Sequence, residues 1–328
     1  MTVSFNPGET PAAIGRDEIL AAHALIAPHV RRTPILETAS PCAGAPPISL
    51  KLEFLQHTGS FKPRGAFLNL LTRQAPPIGC ATASGGNHGA AVAYAAAKLG
   101  IKARIFVPEI AAPVKIAKIK AYGAEVVVAG GSYFDAQALC NAYVAESGAL
   151  AIHPFDAPQT VAGQGTVGLE WEEDIGRLGA APLDTALVAV GGGGLISGVA
   201  AWFDKSVKVV GVEPEGSRAL HAALEAGRPV DVSVQSVAAD SLGARSVGAL
   251  NLAIARRAVD HVALVSDEVI RAAQRVLWRD LSIVAEPGGA AAYAALASGA
   301  YRPAAGERIG VLVCGANADL SALTAAAV

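Results

Sequence analysis

Short apolar runs alternate with Ala-rich segments of helical pattern along most of the chain. Runs of about four to eight apolar residues bounded by turn residues are typical of buried strands, whereas an amphipathic helix repeats its apolar positions about every three to four residues. The pattern predicts strands over Ile78–Ala83, Ala103–Val107, Glu125–Val128, Thr185–Val190, Val207–Val212, His261–Val265 and Arg308–Cys314. It predicts helices over Ala90–Leu99, Pro113–Tyr122, Phe134–Ser147, Leu195–Phe203, Ser217–Ala226, Asp267–Leu281 and Gly289–Ser298.

The predicted strands are apolar on both faces and alternate with helices, which indicates parallel sheets covered on both sides. The alternation occurs in two series, and no Gly/Ser-rich or Pro-rich linker separates them. We therefore predict an α/β fold with two open, mostly parallel sheets that form two lobes packed across a cleft. Because ligands of open α/β sheets bind outside the carboxyl ends of the strands, chemistry is expected in the loops that directly follow strands.

Composition narrows the class of protein. The 328 residues are 52% apolar and 16% charged with a net charge of −2, which excludes a disordered chain and argues against a nucleic-acid partner. The first ten residues lack the pattern of a secretory signal, and the four consecutive glycines within the apolar stretch 185–203 argue against a membrane span. The four cysteines are widely spaced without a C-x-x-C pair, so we expect reduced thiols and a cytoplasmic protein.

Lys62 lies between Phe61 and Pro63, directly before a helix-like run over Ala66–Leu71. The ordinary interpretation is a solvated surface lysine. A cation at a helix N-terminus is electrostatically unfavourable, however, so this position favours a functional role. A functional lysine there would have a lowered pKa or lose its charge as an imine.

Two glycine-containing loops each follow a predicted strand and precede a helix. In the first, S-G-G-N-H-G at 84–89, the glycines allow close backbone approach and the helix N-terminus offers N–H groups to an anion such as a carboxylate. A plain turn with Asn87 as helix cap is the alternative. In the second, Gly191–Gly194, several N–H groups could face one phosphate, with the helix dipole behind them.

A rival interpretation of the second loop is a dinucleotide site. Gly192, Gly194 and Gly198 form a variant glycine fingerprint, and Glu213 follows about twenty residues later, where an acidic residue could bind a ribose hydroxyl. The last predicted strand ends at Cys314, whose thiol is either a small buried apolar group or a weak hydrogen-bonding partner for a ligand.

Five motifs occur in order: S-F-K-P-R-G-A, S-G-G-N-H-G, H-P-F-D-x-P-x-x-x-A-G-Q-G-T-x-G-L-E, G-G-G-G-L-I-S-G and C-G-A-N-x-D. Together they resemble the serine/threonine dehydratases, which are fold type II (tryptophan-synthase-β-like) enzymes dependent on pyridoxal 5′-phosphate. The resemblance extends from about Arg31 to Asp319, and it is far more specific than the dinucleotide fingerprint.

The resemblance implies a role for each matching residue around the cofactor. Lys62 would form the internal aldimine and act as the base at Cα, and Phe61 would lie against the pyridine ring. Asn87 would bind the phenolic oxygen of the cofactor, and Gly191, Gly192, Gly193 and Gly194 would hold its phosphate. Cys314 would face the pyridine nitrogen.

By the same resemblance, a loop after the first strand of the small lobe would receive the substrate carboxylate, largely through backbone N–H groups; its residues are Ser84, Gly85, Asn87 and His88. The implied division is a large cofactor-binding domain, 1–72 with 151–328, and a small domain, 73–150, that carries this asparagine loop. A homodimer is expected.

The implied reaction is β-elimination from L-threonine or L-serine, which gives a 2-oxo acid and ammonia. A Cys opposite the ring nitrogen cannot supply a full proton, so prompt loss of the β-hydroxyl is favoured over transamination. Serine racemases of the family carry a second serine where this chain has Gly85, so efficient racemisation is not expected. Glu213 fits the first ligand of a divalent cation site found in some members, but Ala219 stands at the second, so no metal is expected.

Alternatives to this function stay open. A larger β-hydroxy amino acid, 3-hydroxyaspartate or a β-arylserine, is one alternative, and Phe155 and Arg245 are the candidates for the pocket around its β-carbon. An Arg would suit the acidic substrate and an apolar wall the aryl one. Serine racemase is a second alternative, and a nicotinamide-dependent oxidoreductase is the one outside the class.

The chain ends soon after Cys314, so feedback inhibition by isoleucine through a regulatory domain is not expected.

Overall fold

The computed structural model describes residues 14–318, and the strands in this range form two sheets. In chain order the strands are β1 (Ile35–Thr38), β2 (Ile48–Lys51), β3 (Cys80–Ala83), β4 (Ala103–Val107), β5 (Glu125–Val128), β6 (Leu150–Ala151), β7 (Thr185–Ala189), β8 (Lys208–Pro214), β9 (Val259–Val265) and β10 (Ile309–Leu312).

The helices of the described range cover the faces of these sheets. They are α1 (Arg16–Ile26), α2 (Pro63–Thr72), α3 (Asn87–Lys98), α4 (Pro113–Ala121), α5 (Tyr133–Ser147), α6 (Pro158–Arg177), α7 (Gly194–Phe203), α8 (Ala219–Ala226), α9 (Ala239–Leu242), α10 (Ala249–Ala258), α11 (Asp267–Leu281) and α12 (Pro287–Ser298). None of these helices combines the length and apolar character that a membrane crossing requires. All four cysteines are unpaired.

The larger sheet has six strands in the order β1-β2-β10-β7-β8-β9. Only the edge strand β1 is antiparallel to its neighbour; the remaining pairs are parallel. Strands β2, β7 and β10 are buried at every position, as expected for central strands with helices on both faces. The carboxyl ends of β7 and β10 therefore lie at the same edge of the sheet.

The smaller sheet has four parallel strands in the order β5-β4-β3-β6. It extends from residue 80 to residue 151, one residue beyond the predicted end of the small domain at 150. The predicted α/β class with two mostly parallel sheets is confirmed. The division into domains stays a prediction, and its outer parts, residues 1–13 and 319–328, lie outside the described structure.

The sequence pattern predicts no helix over α6, although α6 has 20 residues and is buried along most of its length. Its glycines weaken the helical signal, because glycine is a poor helix former. These glycines allow neighbouring helices to pack closely against α6. A Cβ at Gly163 would stand 2.8 Å from the main-chain oxygen of Arg64, and one at Gly165 would stand 3.0 Å from that of Gly198. Tertiary contact with α2 and α7 thus overrides local propensity.

Candidate active site

A cavity that is partly open to solvent lies beside the carboxyl ends of β7 and β10. Its walls come from seven separate parts of the chain, which only the fold brings together. The residues singled out in the sequence as cofactor-binding that line it are Phe61, Lys62, Asn87, Gly191, Gly192, Gly193, Gly194 and Cys314. Further lining residues include Phe155, Ser241, Leu242 and Glu286. This position matches the general rule that ligands bind outside strand ends in open α/β sheets.

Lys62 lies at the N-cap of α2, whose first residue is Pro63. Its Nζ donates a hydrogen bond of 2.9 Å to the main-chain oxygen of Pro154. Burial lowers the pKa of Lys62 to about 8, although the neighbouring Cys314 and Glu286 act in the opposite direction. About a tenth of the molecules therefore carry the neutral amine at pH 7, far more than for an ordinary lysine, and the neutral amine is the form that attacks a carbonyl group.

The loop Gly191–Gly194 leads from β7 into α7 and forms one wall of the cavity. Gly193 has a φ of +93°, which strains any residue with a side chain, and a Cβ there would lie 2.8 Å from Cβ of Asn251. A Cβ at Gly192 would lie 2.3 Å from the Phe155 ring. Only glycine fits this path, so no side chain lies between the cavity and the main-chain N–H groups at the start of α7, which can bind an anion.

Asn87 begins α3, and its side chain is held from both ends. Its Oδ1 accepts a hydrogen bond of 2.6 Å from Nδ2 of Asn317, and its Nδ2 donates one of 2.6 Å to Oε1 of Glu286. Burial raises the pKa of Glu286 to about 7, and the hydrogen bond from Asn87 acts against this rise. A titratable carboxyl therefore lies in the cavity next to the residue expected to bind the phenolic oxygen.

No role was predicted for Glu286 or Asn317. Glu286 directly precedes Pro287, and nothing in the local sequence pattern places it beside Asn87. Lys118 completes the group, since its Nζ donates to the main-chain oxygen of Thr58 at 2.9 Å and to Oδ1 of Asn317 at 2.5 Å.

The predicted carboxylate loop, 84–88, is placed at the N-terminus of α3, where first-turn N–H groups have no acceptor within the helix. Of its side chains, that of Asn87 lines the described cavity. Ser84 accepts a hydrogen bond of 3.2 Å from the amide of Gly86. The His88 ring is buried, with Nε2 3.1 Å from the main-chain oxygen of Ile152, and burial lowers its pKa to about 3. His88 can thus serve this loop with its main-chain N–H, while its ring is engaged elsewhere.

The thiol of Cys314 is buried at the end of β10 and donates to the main-chain oxygen of Gly288 at 3.5 Å. Burial raises the pKa of Cys314 well above its usual range, so the thiol stays protonated at physiological pH. A group at this position can donate only a weak hydrogen bond.

The two candidates for the β-carbon pocket separate in the structure. Phe155 lines the cavity. Arg245 is outside the described lining; its side chain is 48% exposed, lies over the ring of Phe134 at 4.8 Å and is 3.8 Å from Asp231. The wall beside Phe155 is thus apolar, with Leu242 as a second member.

The structure does not support the dinucleotide interpretation, because the acidic residue that it requires binds elsewhere. The carboxylate of Glu213 is buried and accepts hydrogen bonds of 2.8 Å from the amides of Leu220 and His221 at the start of α8. Gly198 lies within α7, where it packs against Gly165 of α6 rather than facing a ligand. Neither residue is placed to hold a ribose.

Comparison with known proteins identifies relatives over most of the chain. The family model described as "Pyridoxal-phosphate dependent enzyme" matches residues 26–315. A phenylserine dehydratase of Ralstonia pickettii is 40% identical over 301 residues, covering 88% of this chain and 89% of that protein. An L-threonine ammonia-lyase of Geobacter sulfurreducens is 38% identical over 284 residues, covering 85% of this chain and 69% of that protein. The structure of maize serine racemase superposes with a TM-score of 0.88 at 34% identity, covering 95% of this chain and 96% of that one.

Proposed function

The chain belongs to the family of pyridoxal-phosphate-dependent enzymes, and we propose that it is an ammonia-lyase that eliminates the β-hydroxyl group of L-threonine or L-serine. The observation that carries this proposal is the meeting of three groups in one cavity: the Lys62 amine, the Gly191–Gly194 loop and the Cys314 thiol. The products are a 2-oxo acid and ammonia.

The described residues fit the cofactor. The glycine loop offers main-chain N–H groups and a helix N-terminus to a phosphate, and a Cβ on Gly192 or Gly193 would collide with its surroundings. Lys62 offers a buried amine of lowered pKa to the aldehyde. Phe61 and Asn87 would contact the ring and its phenolic oxygen, and Cys314 its nitrogen. When bound, pyridoxal phosphate supplies an electron sink for negative charge at Cα.

Residues of the chain itself bind the substrate and transfer the protons. The N–H groups at the start of α3 bind and orient the substrate carboxylate. Lys62 removes the proton from Cα, holds it on Nζ and would deliver it to the leaving hydroxyl. The protonated Cys314 thiol would offer the ring nitrogen only a weak hydrogen bond and would not transfer its proton, which favours rapid loss of the β-hydroxyl. Loss of water leaves a C=C bond between Cα and Cβ, and the released enamine takes up a proton at Cβ to become an imine. Hydrolysis of the imine C=N bond by a second water then gives the 2-oxo acid and ammonia, which balances the reaction.

Racemisation is the less favoured outcome. It needs a second acid/base group on the opposite face, and the chain has Gly85 at the position from which serine racemases supply it. A Cβ at Gly85 would lie 2.8 Å from Cβ of Ala111 and 3.0 Å from Cγ1 of Val107, so a side chain would need both neighbours to shift. This packing supports elimination.

A β-arylserine is the second candidate substrate. Phe155 and Leu242 give the cavity an apolar wall, whereas Arg245 pairs outside it, so an aryl group at the β-carbon finds apolar contacts and a β-carboxylate finds no arginine among the described lining residues. The phenylserine dehydratase of Ralstonia pickettii, at 40% identity, adds support. 3-Hydroxyaspartate is correspondingly disfavoured.

A substrate panel that follows ammonia and 2-oxo acid tests the proposal. L-Threonine, L-serine, L-threo-phenylserine and 3-hydroxyaspartate are compared in the wild type, with Lys62→Ala as the inactive control. We expect turnover of threonine and serine and less than about one hundredth of that kcat/KM for 3-hydroxyaspartate. Phe155→Ala separates the candidates, because it should change the ratio of phenylserine to threonine turnover by about tenfold. Absence of product from every substrate would overturn the activity.

We also propose a cytoplasmic homodimer. The four unpaired thiols support a reducing compartment, and the 52% apolar composition supports an additional buried interface. Light scattering coupled to size-exclusion chromatography measures the mass in solution, and a mass of about 33 kDa would contradict the dimer.

A further inference from the structure

Asn251 is a fully buried side chain on α10, a helix that the sequence pattern does not predict. Its Nδ2 donates two hydrogen bonds to main-chain oxygens: one of 2.9 Å to Gly192 and one of 3.1 Å to Phe155. Gly192 is the second residue of the glycine loop, and Phe155 is the cavity residue that packs against it. One amide group therefore ties two cavity segments together.

The bond to Gly192 fixes the direction of a peptide unit. In a trans peptide the C=O of one residue and the N–H of the next point in opposite directions, and no cis peptide occurs among the described residues. The oxygen of Gly192 is turned toward α10, where it also accepts from the amide of Gly248 at 3.3 Å. The N–H of Gly193 is consequently turned away from α10, and Gly193 lines the cavity.

Helix α10, which carries Asn251, is itself held in place by hydrogen bonds. The carboxylate of Asp156 accepts hydrogen bonds from the amides of Ala249 and Leu250 at 3.2 and 3.1 Å, which caps the start of α10. The main-chain oxygen of Asn251 accepts from Oγ of Ser197 on α7 at 3.3 Å. The H-P-F-D turn, α10, the glycine loop and α7 thus form one hydrogen-bonded unit around Asn251.

We propose that Asn251 is a positioning residue that orients the N–H groups of the glycine loop toward the cofactor phosphate. The inference rests on the proposed placement of the phosphate at Gly191–Gly194. A loop of four glycines is flexible without external contacts, because glycine loses more conformational freedom on ordering than any other residue. Asn251 supplies the contact that preorganises the loop. Substitution of Asn251 should therefore reduce the part of the cofactor affinity that comes from the phosphate, and leave the rest unchanged.

Titration of the apoprotein with pyridoxal 5′-phosphate and with pyridoxal, followed by visible absorbance, tests this role. Asn251→Ala removes both hydrogen bonds, and we expect about a tenfold rise in the Kd for pyridoxal phosphate with less than a twofold change for pyridoxal. Asn251→Asp places an acceptor against two carbonyl oxygens and should weaken pyridoxal phosphate further, by about a hundredfold. The ³¹P resonance of the cofactor bound to Asn251→Ala should shift from its wild-type position.

Asn69→Ala is the matched control, since Asn69 is equally buried and its Nδ2 donates to the main-chain oxygen of Gly65 at 2.8 Å. It should lower thermal stability while leaving the ratio of the two dissociation constants and the ³¹P shift unchanged. An equal loss for pyridoxal and pyridoxal phosphate in Asn251→Ala, or no loss, would overturn the inference. Gly193→Ala tests the proposed placement of the phosphate at the glycine loop. If this variant keeps the wild-type difference between the Kd values for pyridoxal phosphate and pyridoxal, the phosphate lies elsewhere and the placement is wrong.

Discussion

The side-chain amide of Asn87 donates a hydrogen bond of 2.6 Å to the carboxyl of Glu286, a residue 199 positions away in the chain. The bond joins α3, the helix that follows β3 of the smaller sheet, to the N-cap residue of α12. It orients Asn87, and it places a titratable group inside the cavity. The titration of this carboxyl has a measurable consequence for the stability of the protein.

The stability of the apoprotein should fall with pH because of Glu286. Burial raises the pKa of Glu286 from its ordinary 4.5 to about 7, so the folded protein binds a proton here that the unfolded chain has released between these values. The corresponding stability is fully present below pH 4.5 and is lost as the pH rises through 7, a difference of about 3 kcal/mol. Urea unfolding of wild type and Glu286→Gln at pH 5 and pH 8 measures it.

Glu286→Gln should remove most of this pH-dependent part of the unfolding free energy, because glutamine stays neutral and can still accept from Asn87. Glu225→Gln, at an exposed position on α8, serves as the control and should retain the wild-type difference between the two pH values. An unchanged difference in Glu286→Gln would contradict the assignment of the effect to this carboxyl.

Capture of the cofactor by the apoprotein should accelerate with pH. The neutral form of Lys62 is the nucleophile, and burial lowers the pKa of this amine to about 8. The rate at which visible absorbance develops should therefore rise about tenfold per pH unit below pH 8 and level off above it. Lys62→Ala should show no such absorbance and no turnover, whereas Lys120→Ala, at an exposed position on α4, should behave as wild type. A rate that keeps rising up to pH 10 would show that a different amine reacts.

Gly85→Ser should not convert the protein into a serine racemase. The new Cβ would stand 2.8 Å from Cβ of Ala111 and 3.0 Å from Cγ1 of Val107, so the loop must move to admit it. We expect a loss of about 1–3 kcal/mol in unfolding free energy and no D-serine above the wild-type level. Adding Ala111→Gly relieves the closer contact and should recover part of the stability. D-serine formation by the single variant at the rate of elimination would refute the steric explanation.

Loss of Arg64 should destabilise the protein strongly. Its fully buried guanidinium bonds two buried carboxylates, with NH2 at 2.7 Å from both Glu53 and Glu170. Burial opposes ionisation of Glu170, but Arg64 holds the pKa of this carboxyl below its usual range. Arg64→Met leaves the two carboxylates facing each other and should cost about 3–5 kcal/mol at pH 8 and less at pH 5.

The exposed pair Arg16 and Glu172, 2.6 Å apart, provides the comparison. Arg16→Met should cost less than about 1 kcal/mol, because surface pairs contribute little. Equal losses for Arg64→Met and Arg16→Met in denaturant unfolding would mean that the buried network is not a source of stability.

The sequence pattern predicted most strands and helices in their order, although not β1, β2, β6, α1, α6, α9 or α10, and it marked the candidate reactive groups. Strands such as β4, β5 and helix α11 have the predicted ends, because their apolar periodicity is local and strong. Lys62 and the two glycine loops were also identifiable, since each combines an unusual composition with a position directly before a helix or after a strand. Family membership followed from the order of such motifs along the chain.

Only the tertiary structure decided which distant residues share the cavity. Glu286 beside Asn87, Asn251 behind the glycine loop, and Arg245 outside the lining are each set by how sheets and helices pack, and no local periodicity encodes such pairings. The same reason explains α6, whose glycines argue against a helix until the close approach of α2 and α7 is known. Local patterns report which face of an element is buried, whereas contacts between elements depend on the complete arrangement of the chain.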